Sequence, residues 1–172
     1  DTVVDGDGKK VESFLSPSMA AYYNNNIKAY STDIAKAKTL LKEAGYANGF
    51  DLTVKVPSNY QTHVDTAQVI KSQLAKIGIN VKIELIEWAQ WLDGVYGKRE
   101  YQATIIGHSG KLDPQDFLNR FSTTYAKNYF NFSNPDYDAL ITKGATTADQ
   151  SKRSEIYKQC QQMLVDQAAS VF

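Results

Sequence analysis

"FDLTVKVPSNYQTHVDTAQVIKSQLAKIGINVKIELI", residues 50–86, decides the fold. Its opening run "FDLTVKV" alternates Leu52, Val54 and Val56 with polar neighbours, the period of a strand with one covered face. Pro57 ends that run. Val64, Ala67, Ile70, Leu74 and Ile77 then recur at helical spacing, and Gly78 closes the helix. "INVKIELI", residues 79–86, alternates again, with Ile79, Val81, Ile83 and Leu85 on one face. A strand, a helix and a strand this close together form a βαβ unit, with parallel strands and a right-handed crossover.

Working outward, "TDIAKAKTLLKEAGY" sets Ile34, Ala37, Leu40, Leu41 and Ala44 on one helical face, with Asp33 as N-cap and Gly45 as the stop. Downstream, "EWAQWLDGVYGKRE" reads as a short helix carrying Trp88, Trp91, Leu92 and Val95, and "YQATII" as a third, buried strand. "PQDFLNRF" is a short helix with Pro114 at its first position. "SNPDYDALITKGATT" opens on a cap at Ser133 or Asn134. The last helix turns Ile156, Cys160, Met163 and Leu164 inward. Residues 1–30 have no period and are expected to wrap the surface as an irregular lead-in. No repeat, low-complexity run or linker divides residues 1–172, so a single α/β domain is expected, a mixed, largely parallel sheet flanked by helices.

Composition narrows the function. With 42% hydrophobic residues the chain can build a core, and Lys plus Arg equals Asp plus Glu at 19 each. Such neutrality speaks against a nucleic-acid groove, which carries a basic excess. No window reaches the ~18 apolar residues of a membrane span. Cys160 is the only cysteine, so neither an internal disulfide nor a cysteine zinc site can form. The chain starts "DTVVDGDGKK", without Met or a signal peptide, and reads as a processed protein or an excised piece.

In an open α/β sheet, ligands gather beyond the carboxyl ends of the strands. Three loops leave those ends: "PSNYQT", "EWAQW" and "GHSGKLDP". The glycines of the third let backbone amides approach a ligand closely. Catalytic patterns are weak. Ser109 beside His108 lacks a Gly-x-Ser-x-Gly elbow, and "GHSGK" lacks the frame of a phosphate loop. His63 and His108 lack the companions of a metal cluster. Bland readings compete at each position: a loop lysine is usually solvated, tryptophans three apart on a helix usually pack inward, Asp113 before Pro114 usually caps a helix, and Cys160 fills core.

"TDIAKAKTLLKEAGYANGFDLTVKV", "AQVIKSQLAKIGINVKIELIEWAQW", "GHSGKLDPQDFL", "NYFNFSNPDYDALI" and "DQSKRSEIYKQCQQMLVDQAASVF" together resemble, over residues 15–172, the family 5 extracellular solute-binding proteins, the dipeptide, oligopeptide and nickel receptors of ABC importers. The resemblance implies one lobe of a type II periplasmic-binding-protein-like fold. It implies the second lobe of a receptor that closes on its ligand, with the first lobe missing and both chain ends at the hinge. No enzyme activity, cofactor or metal site is implied. The implied partners are a peptide or small-molecule ligand, the missing first lobe and ABC transporter permease subunits. The implied location is extracytoplasmic, in the periplasm or lipid-anchored to the outer face of the cell membrane.

In peptide-binding members the loop after the third strand carries a Trp that packs on the ligand and an Asp that pairs with its ammonium. Here His108 takes the Trp position, and Lys111 follows Ser109 and Gly110 in a loop one residue shorter. A lysine reverses the charge preference of a carboxylate, which suits a carboxylate, phosphate or sugar hydroxyl on the ligand. Ser58, Asn59, Trp88, Asp113 and Asn128 complete the expected ligand-binding set with His108, Ser109, Gly110 and Lys111. Other readings are a nickel or metal-chelate receptor, an oligosaccharide or opine receptor, the ligand-sensing domain of a regulator, and a hydrolase using Ser109.

Overall fold

A computed structural model describes residues 3–28 and 30–172. The chain divides into two compact units, residues 1–8 with 31–108, and residues 9–30 with 109–172.

The first unit is built on the βαβ stretch. β1 (Phe50–Pro57) and β2 (Ile79–Ile86) pair in parallel from Phe50 opposite Ile79 to Pro57 opposite Ile86. α2 (Gln61–Ala75) crosses between them and lays Ala67, fully buried, against Val54, Val56, Ile79 and Val81. With β3 (Ala103–Thr104) the strand order is β2-β1-β3, all parallel. Leu85 departs from the buried face and stands 53% exposed near the end of β2. The turn before β1 meets the turn before β2 in backbone contact. Gly49 has φ +74°, and a Cβ there would fall 1.8 Å from the Gly78 carbonyl oxygen. Only glycine fits.

β3 is a correction to the expected strand over 101–106. It is the pair Ala103–Thr104 alone, half-buried, opposite Val54 and Lys55. Side chains take over the neighbouring contacts: Gln102 Oε1 accepts from the Thr53 N–H at 2.7 Å, and the Lys55 ammonium donates to the Glu100 carbonyl at 2.8 Å. The helix after β2 also differs. Trp88–Gln90 (α3) is α-helical and continues as a π-helical stretch, Trp91–Gly97, with Trp91 and Val95 buried. α1 (Ile34–Glu43) is capped by Asp33, whose carboxylate accepts from Lys36 N–H at 2.9 Å. Its apolar face is not buried: Ile34 and Leu40 are exposed, and Ala37 and Leu41 are half-buried.

The second unit packs α4 (Pro114–Leu118), a 3₁₀ turn (Asn119–Phe121), α5 (Pro135–Thr146) and α6 (Gln150–Asp166). Asn134 is the N-cap of α5 and accepts from both Asp136 and Tyr137 N–H. α5 and α6 approach so closely that a Cβ on Gly144 would lie 2.5 Å from the Tyr157 ring. Cys160 is core, and burial pushes its thiol pKa up to about 12.

Within the lead-in expected to wrap the surface, residues 4–10 are exposed, but the stretch from Ser13 to Ile27 contributes buried residues to this core. Leu15 and Tyr23 are buried with Phe117, Leu118 and Phe121, and Phe14 meets the rings of Phe117, Phe121 and Phe130 edge-on. Gln161, fully buried on α6, secures it. Its amide oxygen accepts from Ser13 Oγ and Asn24 N, and its amide nitrogen donates to Tyr22 O. Ser154 Oγ donates to Ala21 O. Irregular backbone is buried here because α6 side chains satisfy its polar groups.

Candidate functional site

In the first unit the loops leaving β1, β2 and β3 converge at the carboxyl edge of the sheet. Ser58 N–H donates to Ile86 O at 2.9 Å, carrying the pairing one step past the strands. Tyr60 is the N-cap of α2, and its carbonyl accepts from His63 and Val64 N–H. That turn sets the Tyr60 ring edge-on to Trp88 at 5.6 Å and beside His63 at 5.0 Å. Trp88 in turn stacks on Trp91 at 5.1 Å, the planes within 4° of parallel. Trp91 is moored to the sheet: its indole N–H donates to Thr104 Oγ1 at 2.9 Å, and that hydroxyl donates to Lys55 O at 2.7 Å. Buried indoles need such partners, and this one holds the whole ring stack in register with β1 and β3.

His63 closes the edge against the third loop. Its Nε2 lies 3.3 Å from where a Gly107 side chain would begin, so any larger residue at 107 presses on the imidazole. Its Nδ1 is buried without a hydrogen-bond partner among the described residues. Burial lowers the His63 pKa below its ordinary 6.5, which keeps the ring neutral at pH 7.

The second unit carries the rest of the third loop. Ser109, Gly110, Lys111 and Leu112 are all exposed, Leu112 completely. Lys111 has no ion-pair partner among the described residues. Asp113 ends the loop as the N-cap of α4, accepting from Gln115 N–H at 2.8 Å. Both its oxygens lie 2.9 Å from Arg153 NH2. Burial works to lower the Arg153 pKa, but hydrogen bonds to Asp113 and Tyr157 prevail and leave it raised.

The expected ligand-binding residues therefore divide between the units. Ser58, Asn59, Trp88 and His108 belong to the first; Ser109, Gly110, Lys111, Asp113 and Asn128 belong to the second. Ser58 and Asn59 are exposed, Trp88 and His108 half-buried. Asn128 is 2% exposed, and its amide donates to the Ser122 and Phe132 carbonyls at 3.0 and 2.9 Å, while its buried Oδ1 has no partner among the described residues. Sequence reasoning missed Tyr60 and Arg153. The signal for Arg153 was a charged residue four positions before Tyr157 on the inward stripe of α6. Among the described residues, no group of three or more His, Cys, Asp or Glu side chains is placed to hold a metal ion.

Comparison with known proteins agrees with this architecture. The sequence model described as "Bacterial extracellular solute-binding proteins, family 5 Middle" matches residues 1–129. Di/tripeptide-binding protein 1 of Pseudomonas aeruginosa is 35% identical, over 97% of this chain and 32% of its own length. The dipeptide-binding protein of Escherichia coli is 32% identical, over 98% of this chain and 33% of its own. Among solved structures, the periplasmic binding protein DppA of Helicobacter pylori, in complex with the peptide STSA, superposes with a TM-score of 0.85 at 32% identity, over 96% of this chain and 33% of that one. This chain spans about a third of the length of the relatives it matches.

Proposed function

Since this chain belongs to the bacterial extracellular solute-binding proteins of family 5, we propose that it is the second lobe of an ABC-importer receptor, and that it binds a peptide or related small solute between this lobe and a first lobe. Relatives named for dipeptides and tripeptides support the ligand class. The observation that carries the reading is the convergence of the loops after β1, β2 and β3, marked by the Tyr60–Trp88 and His63–Gly107 contacts at the carboxyl edge of the sheet. Ligands of open α/β sheets bind at that edge. The chain works by binding alone, without a chemical step. Its partners are the first lobe, the ligand and the permease subunits that receive it. It operates outside the cytoplasm, in the periplasm or lipid-anchored to the outer face of the membrane.

A second reading concerns charge. Lys111 is exposed and has no ion-pair partner among the described residues, so it favours an anionic group on the ligand: an acidic peptide, an opine-like or phosphorylated compound, or an anionic sugar. Two unit charges ~4 Å apart near a protein surface interact by about 4 kcal/mol before desolvation, enough to invert a preference. The test is a thermal-shift screen of the full-length protein containing this chain. Its library holds di- to hexapeptides, anionic sugars, opine-type compounds and nickel with chelators, and each hit is repeated with Lys111→Asp. The expected hit is anionic and weakens ten-fold or more in the variant. A peptide hit indifferent to the substitution refutes the charge reading and keeps the receptor reading. Stabilisation by nickel alone, lost in His63→Ala or His108→Ala, refutes the peptide class.

A further inference from the structure

We infer that Arg153 is a positioning residue for the ligand loop: by holding Asp113 it fixes the carboxyl end of the exposed segment Ser109–Leu112, and with it the place of Lys111. The inference rests on the reading of that loop as part of the ligand site.

The geometry is a closed ring. Arg153 NH2 meets both Asp113 oxygens at 2.9 Å and donates to Tyr157 Oη at 3.0 Å. Tyr157 Oη–H donates to Gln115 Oε1 at 2.8 Å, and Gln115 N–H donates to Asp113 Oδ1 at 2.8 Å. Two N–H groups serve three acceptors, so the Asp113 oxygens share one hydrogen while Tyr157 takes the other. Arg153 Nε–H also donates to Gly144 O at 3.1 Å, and the guanidinium lies over the Tyr157 and Tyr22 rings at 5.0 and 5.8 Å. One side chain thus ties the start of α4 to α5 and α6. Its own side chain is 20% exposed, whereas that of Asp113 is 44% exposed.

What makes the ring a positioning device is the segment before it. Among the described residues, no hydrogen bond or ion pair holds any of Ser109, Gly110, Lys111 or Leu112. Their order depends on where the segment is anchored, and its next residue is Asp113. A segment that must be ordered by its ligand binds more weakly than one held in place beforehand. An exposed Asp–Arg pair adds little to stability, but a partly buried arginine with four acceptors sets a geometry.

The test uses the full-length protein and two readouts. First, a nitroxide on Leu112→Cys reports loop mobility without ligand; Leu112 is fully exposed, and Cys160 is buried and does not label. Arg153→Met is expected to sharpen the spectrum, Arg153→Lys to restore part of the broadening, and Tyr157→Phe, which breaks the ring with a milder change, to fall between wild type and Arg153→Met. Second, titration with the acidic dipeptide Glu-Glu is expected to show a ten-fold weaker Kd in Arg153→Met. The effect of Lys111→Ala, large in the wild type, is expected to shrink below three-fold in that background. A merely structural arginine leaves the two effects independent. If Lys111→Ala weakens binding while Arg153→Met and Tyr157→Phe change neither mobility nor Kd, the positioning role is overturned and the ligand loop stands. If Lys111→Ala leaves Glu-Glu binding unchanged, or the wild type does not bind Glu-Glu, the ligand-loop reading fails and the positioning role falls with it.

Discussion

Replacing Gln161 with leucine is expected to release the segment that contains residues 13–24 from the second unit. Gln161 is fully buried and serves Ser13 Oγ, Asn24 N and Tyr22 O through one side-chain amide. Its remaining bond, to Tyr157 O, is redundant with the helix. Leucine matches the volume but serves none of the three. A buried polar group left unpaired costs about 1–3 kcal/mol. Ser13 and Asn24 are buried, at 1% and 9% exposure, while Tyr22 is half-buried, so the loss is about 3–6 kcal/mol. Burying the leucine offsets about 1–2 kcal/mol of it. The net loss is then about 1–5 kcal/mol, a substantial share of the roughly 5–15 kcal/mol that holds a domain together. Urea titration of the 172-residue chain by circular dichroism measures it, with limited proteolysis scoring cleavage within residues 13–24. A loss under about 1 kcal/mol, with the segment still resistant to protease, refutes the claim that Gln161 is what admits irregular backbone to this core.

Gly49→Ala is expected to destabilise the first unit by about 2–4 kcal/mol, because it combines a left-handed backbone with a clash against the Gly78 carbonyl; a midpoint in urea unchanged from wild type counts against that packing. His63 has a folded-state pKa below its unfolded 6.5, so the unfolded chain takes the proton first. Its contribution to stability is therefore complete above about pH 6.5 and is lost as pH falls through the folded value. Nuclear magnetic resonance should place its midpoint below 6.5, and His63→Asn should flatten this part of the pH profile; a midpoint at or above 6.5 contradicts the burial argument.

The central βαβ stretch was readable because its signals are local. Alternation in β1 and β2 and the helical stripe of α2 each arise within one element, and the glycines at 49 and 78 punctuate them. The caps at Asp33 and Asp113 were readable for the same reason, and the cap of α5 was narrowed to Ser133 or Asn134, of which Asn134 serves. Residues 9–30 were not. Nothing local distinguishes a surface strap from a buried one when the deciding partner is Gln161, 148 positions from Ser13. α1 fails in the opposite sense: its spacing announces an apolar face, and Ile34 and Leu40 of that face remain exposed. Periodicity records which residues could be covered, and coverage depends on what stands opposite.

The candidate site divides along the same line. Residue types at the carboxyl edge of a parallel sheet can be listed from the order of strands and loops, which is how Ser58, Asn59, Trp88 and the Gly107–Asp113 loop came forward. What each side chain is committed to cannot. Asp113 before Pro114 reads as a helix cap, but its ion pair appears only when Arg153, forty positions away, is seen against both its oxygens. Asn128 gives both amide hydrogens to backbone carbonyls, a commitment that its sequence position does not show. Lys111 differs from both, since no side chain within the described residues competes for its charge. Commitment therefore separates the loop into an anchored end, Asp113, and a free charge two residues before it. On the proposed reading of this loop as a ligand loop, that separation suits specificity: the anchor keeps its position while the charge proposed to meet the ligand is open to change. If the proposal holds, a substitution at 111 is expected to alter which ligand is preferred and to leave the fold alone, whereas one at 113 or 153 is expected to alter how well any ligand is held.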